Sequence, residues 1–88
     1  MKRKINISIG EKIKSYRESK EFTQDQLSYE SGVGQKTISY IENNERLPGL
    51  DTVYKLALAM KLDTLEICTL LVSCLLSFLE NLRTLRHK

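Results

Sequence analysis

The chain has 88 residues, of which 41% are hydrophobic and 28% charged, with one Pro and four Gly. A chain of this length holds one compact core, and its balance of apolar and charged residues excludes the disordered and fibrous classes and leaves a small helical protein as the expectation. Lys and Arg exceed Asp and Glu by 14 to 11, unevenly: residues 1–20 carry seven basic and two acidic side chains, residues 83–88 carry three basic ones, and the stretch between is acidic.

Met1-Lys2-Arg3-Lys4 opens the chain as a basic segment, followed by Asn6, Ser8, Glu11 and Lys12 rather than an apolar run, so it does not read as a secretion signal. Residues 1–8 are expected to be a basic arm that embraces a duplex or enters a minor groove, or else a solvated tail. Ile9, Ile13 and Tyr16 recur at helical spacing and predict a first helix from Ile9 to Lys20. Thr23 and Gln26 form a capping box that starts a second helix at Gln24, and Gly32 stops it by taking a left-handed conformation. A third helix is expected from Gln35 to Asn43, with Asn43-Asn44 as its stop. After Pro48-Gly49 a fourth runs from Leu50 to Lys61, its Val53, Leu56, Ala57 and Met60 forming one apolar stripe. Asp63 or Thr64 caps a long fifth helix that reaches Leu85.

No stretch alternates in the manner of a strand, so the fold class is all-α with five helices. Phe22, Leu27, Val33, Ile38, Ile41, Leu47 and Leu50 are the apolar positions expected to join the short helices into one core. Cys68 and Cys74 are six residues apart with no His or Cys at ligand spacing, which gives no zinc site, no cofactor and no thioredoxin-type motif; both are expected to be free core thiols. The longest apolar-rich run, Leu65 to Leu79, falls short of the ~20 residues a bilayer needs and is interrupted by Glu66, Thr69, Ser73 and Ser77. A soluble cytoplasmic protein is expected. His87 is the only histidine, and no nucleophile–base pair, carboxylate pair or phosphate-cradling loop can be assembled with it, so an enzyme is not expected.

Two short helices joined by the tight turn Ser31-Gly32-Val33-Gly34 have the dimensions of a helix-turn-helix. On a helical wheel at about 100° per residue, Gln35, Lys36, Ser39 and Tyr40 fall within one arc of about 140°, and Ile38 and Ile41 fall opposite. Any surface helix has a polar face. This one, however, carries amide, ammonium, hydroxyl and phenol groups, the donors and acceptors that read base edges in a major groove.

The surrounding residues narrow the reading. Phe22-Thr23-Gln24-Asp25-Gln26-Leu27, Ser31-Gly32-Val33, Thr37-Ile38-Ser39-Tyr40-Ile41-Glu42-Asn43, Pro48, and Leu56-Ala57 with Ala59 form a spaced set. As a set it resembles the phage repressor and Cro-like (lambda repressor-like, Xre-type) helix-turn-helix family from about Ile9 to Leu62. The resemblance implies that residues 9–62 are a DNA-binding domain. It implies that Gln24 hydrogen-bonds a phosphate and buttresses Gln35, and that Gln35 reads adenine through its amide. It also implies a structural ion pair between Arg17 and Glu42, with Asn43 and Arg46 at phosphates. Lys2, Arg3 and Lys4 of the arm are expected to add phosphate contacts. Three positions depart from the family pattern: Gly34 replaces a hydroxyl cap, Asn44 stands where Gly is typical, and Glu45 brings a negative charge beside the expected phosphate contacts. Among family members this small, restriction-modification controllers and compact phage or plasmid repressors look most alike.

Residues 63–88 are expected to be an oligomerisation helix and basic tail. Glu66, Thr69, Ser73, Ser77, Glu80 and Thr84 make one narrow polar stripe, and apolar side chains cover nearly all the rest, far beyond the ~100° that one-sided packing needs. The fifth helix is therefore expected to form a homodimer through Ile67, Leu71, Cys74, Leu75, Phe78, Leu79 and Leu82, unless it is an ordinary buried core helix. A two-fold dimer would set two recognition helices ~34–36 Å apart on a pseudo-palindromic operator. The function expected is a sequence-specific transcriptional regulator, a dimeric and autoregulatory repressor. The alternative is an antitoxin or adaptor of the same fold whose primary ligand is another protein.

Overall fold

A computed structural model describes residues 8–86 of the chain, with side chains described to Glu80 and at Leu82. It contains five helices in the order α1 (Ile9–Ser19), α2 (Gln24–Ser31), α3 (Gln35–Glu42), α4 (Leu50–Ala59) and α5 (Thr64–Arg86), and no strand among the described residues. The all-α, five-helix reading therefore holds.

Helices α1, α2 and α5 start at side-chain caps. Ser8 Oγ accepts the Glu11 amide at the head of α1. At α2 the capping box is complete, since Thr23 Oγ1 accepts from the Gln26 amide and Gln26 Oε1 accepts from the Thr23 amide. Asp63 and Glu66 make the same reciprocal pair ahead of α5, which selects Asp63 over Thr64 as the cap. The α3 and α4 starts lack such a group. Gly34 and Gly49 occupy their N-caps, and no side chain caps either helix.

The helix ends are more economical than the sequence suggests. Gly32 closes α2 at φ 78°. In α1, α3 and α4 the left-handed residue is instead Glu21 (φ 65°), Asn44 (φ 63°) or Lys61 (φ 60°). In each case its own amide and the next fold back onto the helix: Glu21 to Glu18 and Phe22 to Arg17, Asn44 to Ile41 and Glu45 to Tyr40, Lys61 to Leu58 and Leu62 to Ala57. This is the Schellman closure, which satisfies carbonyls that would otherwise be orphaned. It also explains why α4 ends at Ala59, short of the Lys61 expected from periodicity: Lys61 has already turned out of the helix.

α1 and α2 pack on α3, α2 on α4, and α5 lies along α4 and α1. Ile9, Ile13, Leu27, Ile38, Ile41, Val53, Leu56, Ala57, Met60, Leu62, Leu70 and Cys74 form the buried core, with Phe22, Val33 and Leu47 packed at its edge. Leu50 corrects the expected core list. It is 41% exposed, because as the first residue of α4 it lies beside the stripe that Val53, Leu56, Ala57 and Met60 turn inward. The expected pair of core thiols also separates, with Cys74 buried and Cys68 exposed. The Cys74 thiol donates to the Pro48 carbonyl at 3.5 Å, tying the loop between α3 and α4 to α5. No helix among the described residues is long and apolar enough to cross a membrane.

Candidate nucleic-acid interface

α3 is divided as the wheel requires. Ile38 and Ile41 are buried, while Gln35, Lys36 and Tyr40 are exposed and Ser39 is half-buried. Gly34 forces no side chain into the turn before α3, and a β-carbon there would meet only the Thr37 hydroxyl at 3.8 Å. The first turn of α3 is thus open, and Gln35 stands on it without a side-chain cap to stiffen the backbone beneath.

A carboxylate holds the far end of α3. Glu42, with 1% of its side chain exposed, faces Arg17 with 10% exposed. Arg17 Nε donates to Glu42 Oε2 at 2.7 Å and Nη2 donates to Oε1 at 3.0 Å, a two-pronged contact. The remaining Arg17 nitrogen, Nη1, donates to the Phe22 carbonyl at 2.7 Å. The hydrogen bond to Glu42 holds the Arg17 pKa above its ordinary value against the opposing effect of burial. Gln24 Nε2 donates to Glu42 Oε1 at 3.0 Å. One buried carboxylate therefore joins α1, the turn after it, the first residue of α2 and the last residue of α3. The sequence reading does not find the Gln24–Glu42 bond: it assigns Gln24 to phosphate and to Gln35, whereas the structure gives its amide nitrogen to Glu42.

Arg46 and Asn43 are exposed just beyond α3. The Arg46 guanidinium carbon lies 5.6 Å from the centroid of the Tyr40 ring, within the range of a cation–π contact. Lys2, Arg3 and Lys4 lie outside the described residues.

The fifth helix presents two adjoining apolar faces. Leu70 and Cys74 are fully buried, with Ile67, Leu71 and Phe78 partly buried against the core. Leu65, Val72, Leu75, Leu79 and Leu82 are 48–75% exposed, and Cys68 is exposed with them. Residues 65, 68, 72, 75, 79 and 82 are spaced alternately by three and four, the pattern of a coiled-coil seam. Cys74 is thereby removed from the expected dimer interface: it has no surface to offer, because packing on α4 turns that side of the helix inward. Ile67, Leu71 and Phe78 share its side of α5. Leu75, Leu79 and Leu82 are on the open face, joined by Leu65, Cys68 and Val72, which apolar content alone does not separate from the side that meets the core.

Comparison with known proteins agrees with this architecture. The helix-turn-helix family matches residues 13–67, more than half of the chain, and the chain belongs to that family. Two solved structures are similar over most of their length. The restriction-modification controller protein C.AhdI from Aeromonas hydrophila is 25% identical, with a TM-score of 0.62 over 67% of this chain and 89% of that one. The wild-type restriction-modification controller protein C.Esp1396I is 25% identical, with a TM-score of 0.65 over 77% of this chain and 87% of that one. A point mutant of the same controller matches with the same TM-score. No curated protein matches the chain in sequence. Family and neighbours together define a DNA-binding transcriptional regulator rather than an enzyme.

Proposed function

We propose that the chain is a cytoplasmic, homodimeric repressor that reads a pseudo-palindromic operator with α3 and controls its own gene. The observation that carries this reading is the arc of Gln35, Lys36 and Tyr40, exposed, with Ser39, half-buried, on a helix whose other side, Ile38 and Ile41, is buried in the core. Gln35 supplies a donor and an acceptor in one plane, the pair that recognises adenine N7 and N6. Lys36 and Ser39 extend the same surface toward neighbouring base edges. Asn43 and Arg46 flank it as phosphate contacts, joined by Gln24, whose amide nitrogen donates one of its two hydrogens to Glu42 and keeps the other for phosphate; such contacts orient the protein without selecting sequence. Lys2, Arg3 and Lys4 add to the same electrostatic attraction. The division of labour is a DNA-binding unit over residues 9–62 and a dimerising α5 within 63–88, with residues 1–8 as the arm. Likeness to two restriction-modification controllers supports a regulatory role of this kind.

Footprinting of the purified protein on DNA upstream of its own gene tests the reading. Protection of a two-fold symmetric site is expected, and Gln35→Ala is expected to cost ~1–3 kcal/mol there and little on random duplex. Equal losses on both DNAs would remove Gln35 from base reading, and no protected site would remove autoregulation.

A further inference from the structure

Tyr40 stands at the end of the exposed arc, where its hydroxyl invites a base-reading role. Its surroundings assign it a different one. Tyr40 is third from the end of α3, and its carbonyl accepts the Glu45 amide at 2.8 Å, while the Ile41 carbonyl accepts the Asn44 amide at 3.0 Å. Asn44, left-handed at φ 63°, turns the chain back through these two bonds. Arg46, two residues on from Asn44, is thereby brought alongside the Tyr40 ring, with its guanidinium carbon 5.6 Å from the centroid. No carboxylate lies within 4.0 Å of that guanidinium among the described residues. The ring is therefore its described partner. A cation–π contact uses no N–H···O hydrogen bond, so the guanidinium N–H groups stay available to donate. An arginine on so exposed a turn otherwise samples many rotamers, and each must be given up when it meets a phosphate.

We propose that Tyr40 is a positioning residue: its ring, and not its hydroxyl, holds Arg46 at the C-terminal end of the reading helix for contact with a duplex phosphate. The proposal rests on the DNA-binding reading above and deepens it, because it couples the last residue of the α3 arc to the phosphate contact just beyond it. A phosphate contact is independent of sequence, so the coupling is legible without knowing the operator.

The test is binding to a mixed-sequence 30-base-pair duplex across a salt series, for wild type, Tyr40→Leu, Tyr40→Phe, Arg46→Gln and the Tyr40→Leu/Arg46→Gln double variant, each checked by circular dichroism for an unchanged fold. Arg46→Gln is expected to flatten the salt slope by about one unit per bound subunit. Tyr40→Leu is expected to weaken binding about two- to fivefold, the scale of an exposed cation–π contact, and to flatten the slope in the same direction. Phe at position 40 rescues both losses, and Tyr40→Leu has no further effect once Arg46 is gone. Two results would overturn the proposal: a Tyr40→Phe loss as large as that of Tyr40→Leu, which makes the hydroxyl the active group, or an undiminished Tyr40→Leu loss in the Arg46→Gln background. A wild type that binds no duplex at low salt fails the DNA-binding reading itself, which separates the two failures.

Discussion

Gly10 of α1 lies against the carbonyl oxygen of Ile41 near the end of α3 so closely that a β-carbon on residue 10 would overlap that oxygen. The same β-carbon would sit 2.7 Å from Asn44 Oδ1. Glycine here is a matter of approach rather than of backbone freedom: α1 is helical at this point, and its missing side chain lets it close on the last turn of α3.

Gly10→Ala is accordingly expected to destabilise the protein despite alanine's better helix propensity, which favours the variant by only ~1 kcal/mol. The obstacle is backbone, which cannot swing away like a side chain, so α1 and α3 must separate at a cost of ~1–3 kcal/mol or more. Chemical denaturation measures it. An alanine variant as stable as wild type would mean the two helices can part without loss.

The Arg17–Glu42 pair gives an asymmetric expectation. Removing Arg17 leaves the Glu42 carboxylate almost wholly buried with only the Gln24 amide, so Arg17→Ala is expected to cost ~3–5 kcal/mol. Removing Glu42 leaves Arg17 with the Phe22 carbonyl at 2.7 Å and the Glu18 carboxylate at 3.9 Å, so Glu42→Ala is expected to cost less. The double variant should be less destabilised than the sum, because no charge is left stranded. A strictly additive cycle would show that the two side chains do not act as a pair.

Alkaline pH should destabilise the protein through two groups. Burial pushes the Cys74 thiol up from its ordinary range, and burial, followed by the charges of Glu66 and Asp63, does the same for the Tyr16 hydroxyl. A raised pKa means that the folded chain keeps protons the unfolded chain releases, so the stabilisation is complete below the unfolded values and lost as pH rises above them. The melting temperature is expected to be level around neutrality and to fall from about pH 8.5–10 upward, where free thiols and phenols ionise. Cys74→Ala should be less stable at pH 7, having lost buried volume, yet show a shallower alkaline decline. An identical decline in the variant would acquit the thiol.

What the sequence conveyed was chiefly local. The Thr23–Gln26 capping box, the Gly32 stop and the bare Gly34 N-cap depend on residues within a few positions of one another, and each stands where its own neighbours require. The Arg17–Glu42 pairing came from family resemblance, as no periodicity joins residues 25 positions apart. Other features depend on how helices meet and left little local trace. Glu21 and Lys61 take left-handed conformations without being glycine, because the returning amides of Phe22 and Leu62 compensate the strain. The need for glycine at position 10 exists only once α3 is against α1. The amide of Gln24 turns to Glu42 rather than to Gln35 because the carboxylate is already fixed by Arg17. In α5 the apolar count was visible, but which side met α4 was not, and that decided the separate fates of Cys74 and Cys68.

Cys68 offers a direct measure of the α5 seam. As a free chain, the protein exposes this thiol between Leu65 and Val72 while Cys74 is enclosed, so an alkylating reagent should modify one cysteine rapidly and the other only on unfolding. If two copies pair along residues 65, 68, 72, 75, 79 and 82, the seam covers Cys68, and its modification rate should fall as protein concentration rises through the dissociation constant. The apolar area is the reason to expect pairing: six large side chains of α5, Leu65, Val72, Leu75, Leu76, Leu79 and Leu82, at least 48% exposed, are costly to leave in water, and heptad spacing lets two such edges interlock. Leu75→Glu or Leu79→Glu should restore fast, concentration-independent labelling, give a monomer in sedimentation and weaken operator binding, leaving the fold intact because both side chains point away from the core. Labelling of the wild type that stays fast at every concentration, together with sedimentation as a monomer, would reject self-pairing and leave the face to a different protein, the antitoxin or adaptor reading.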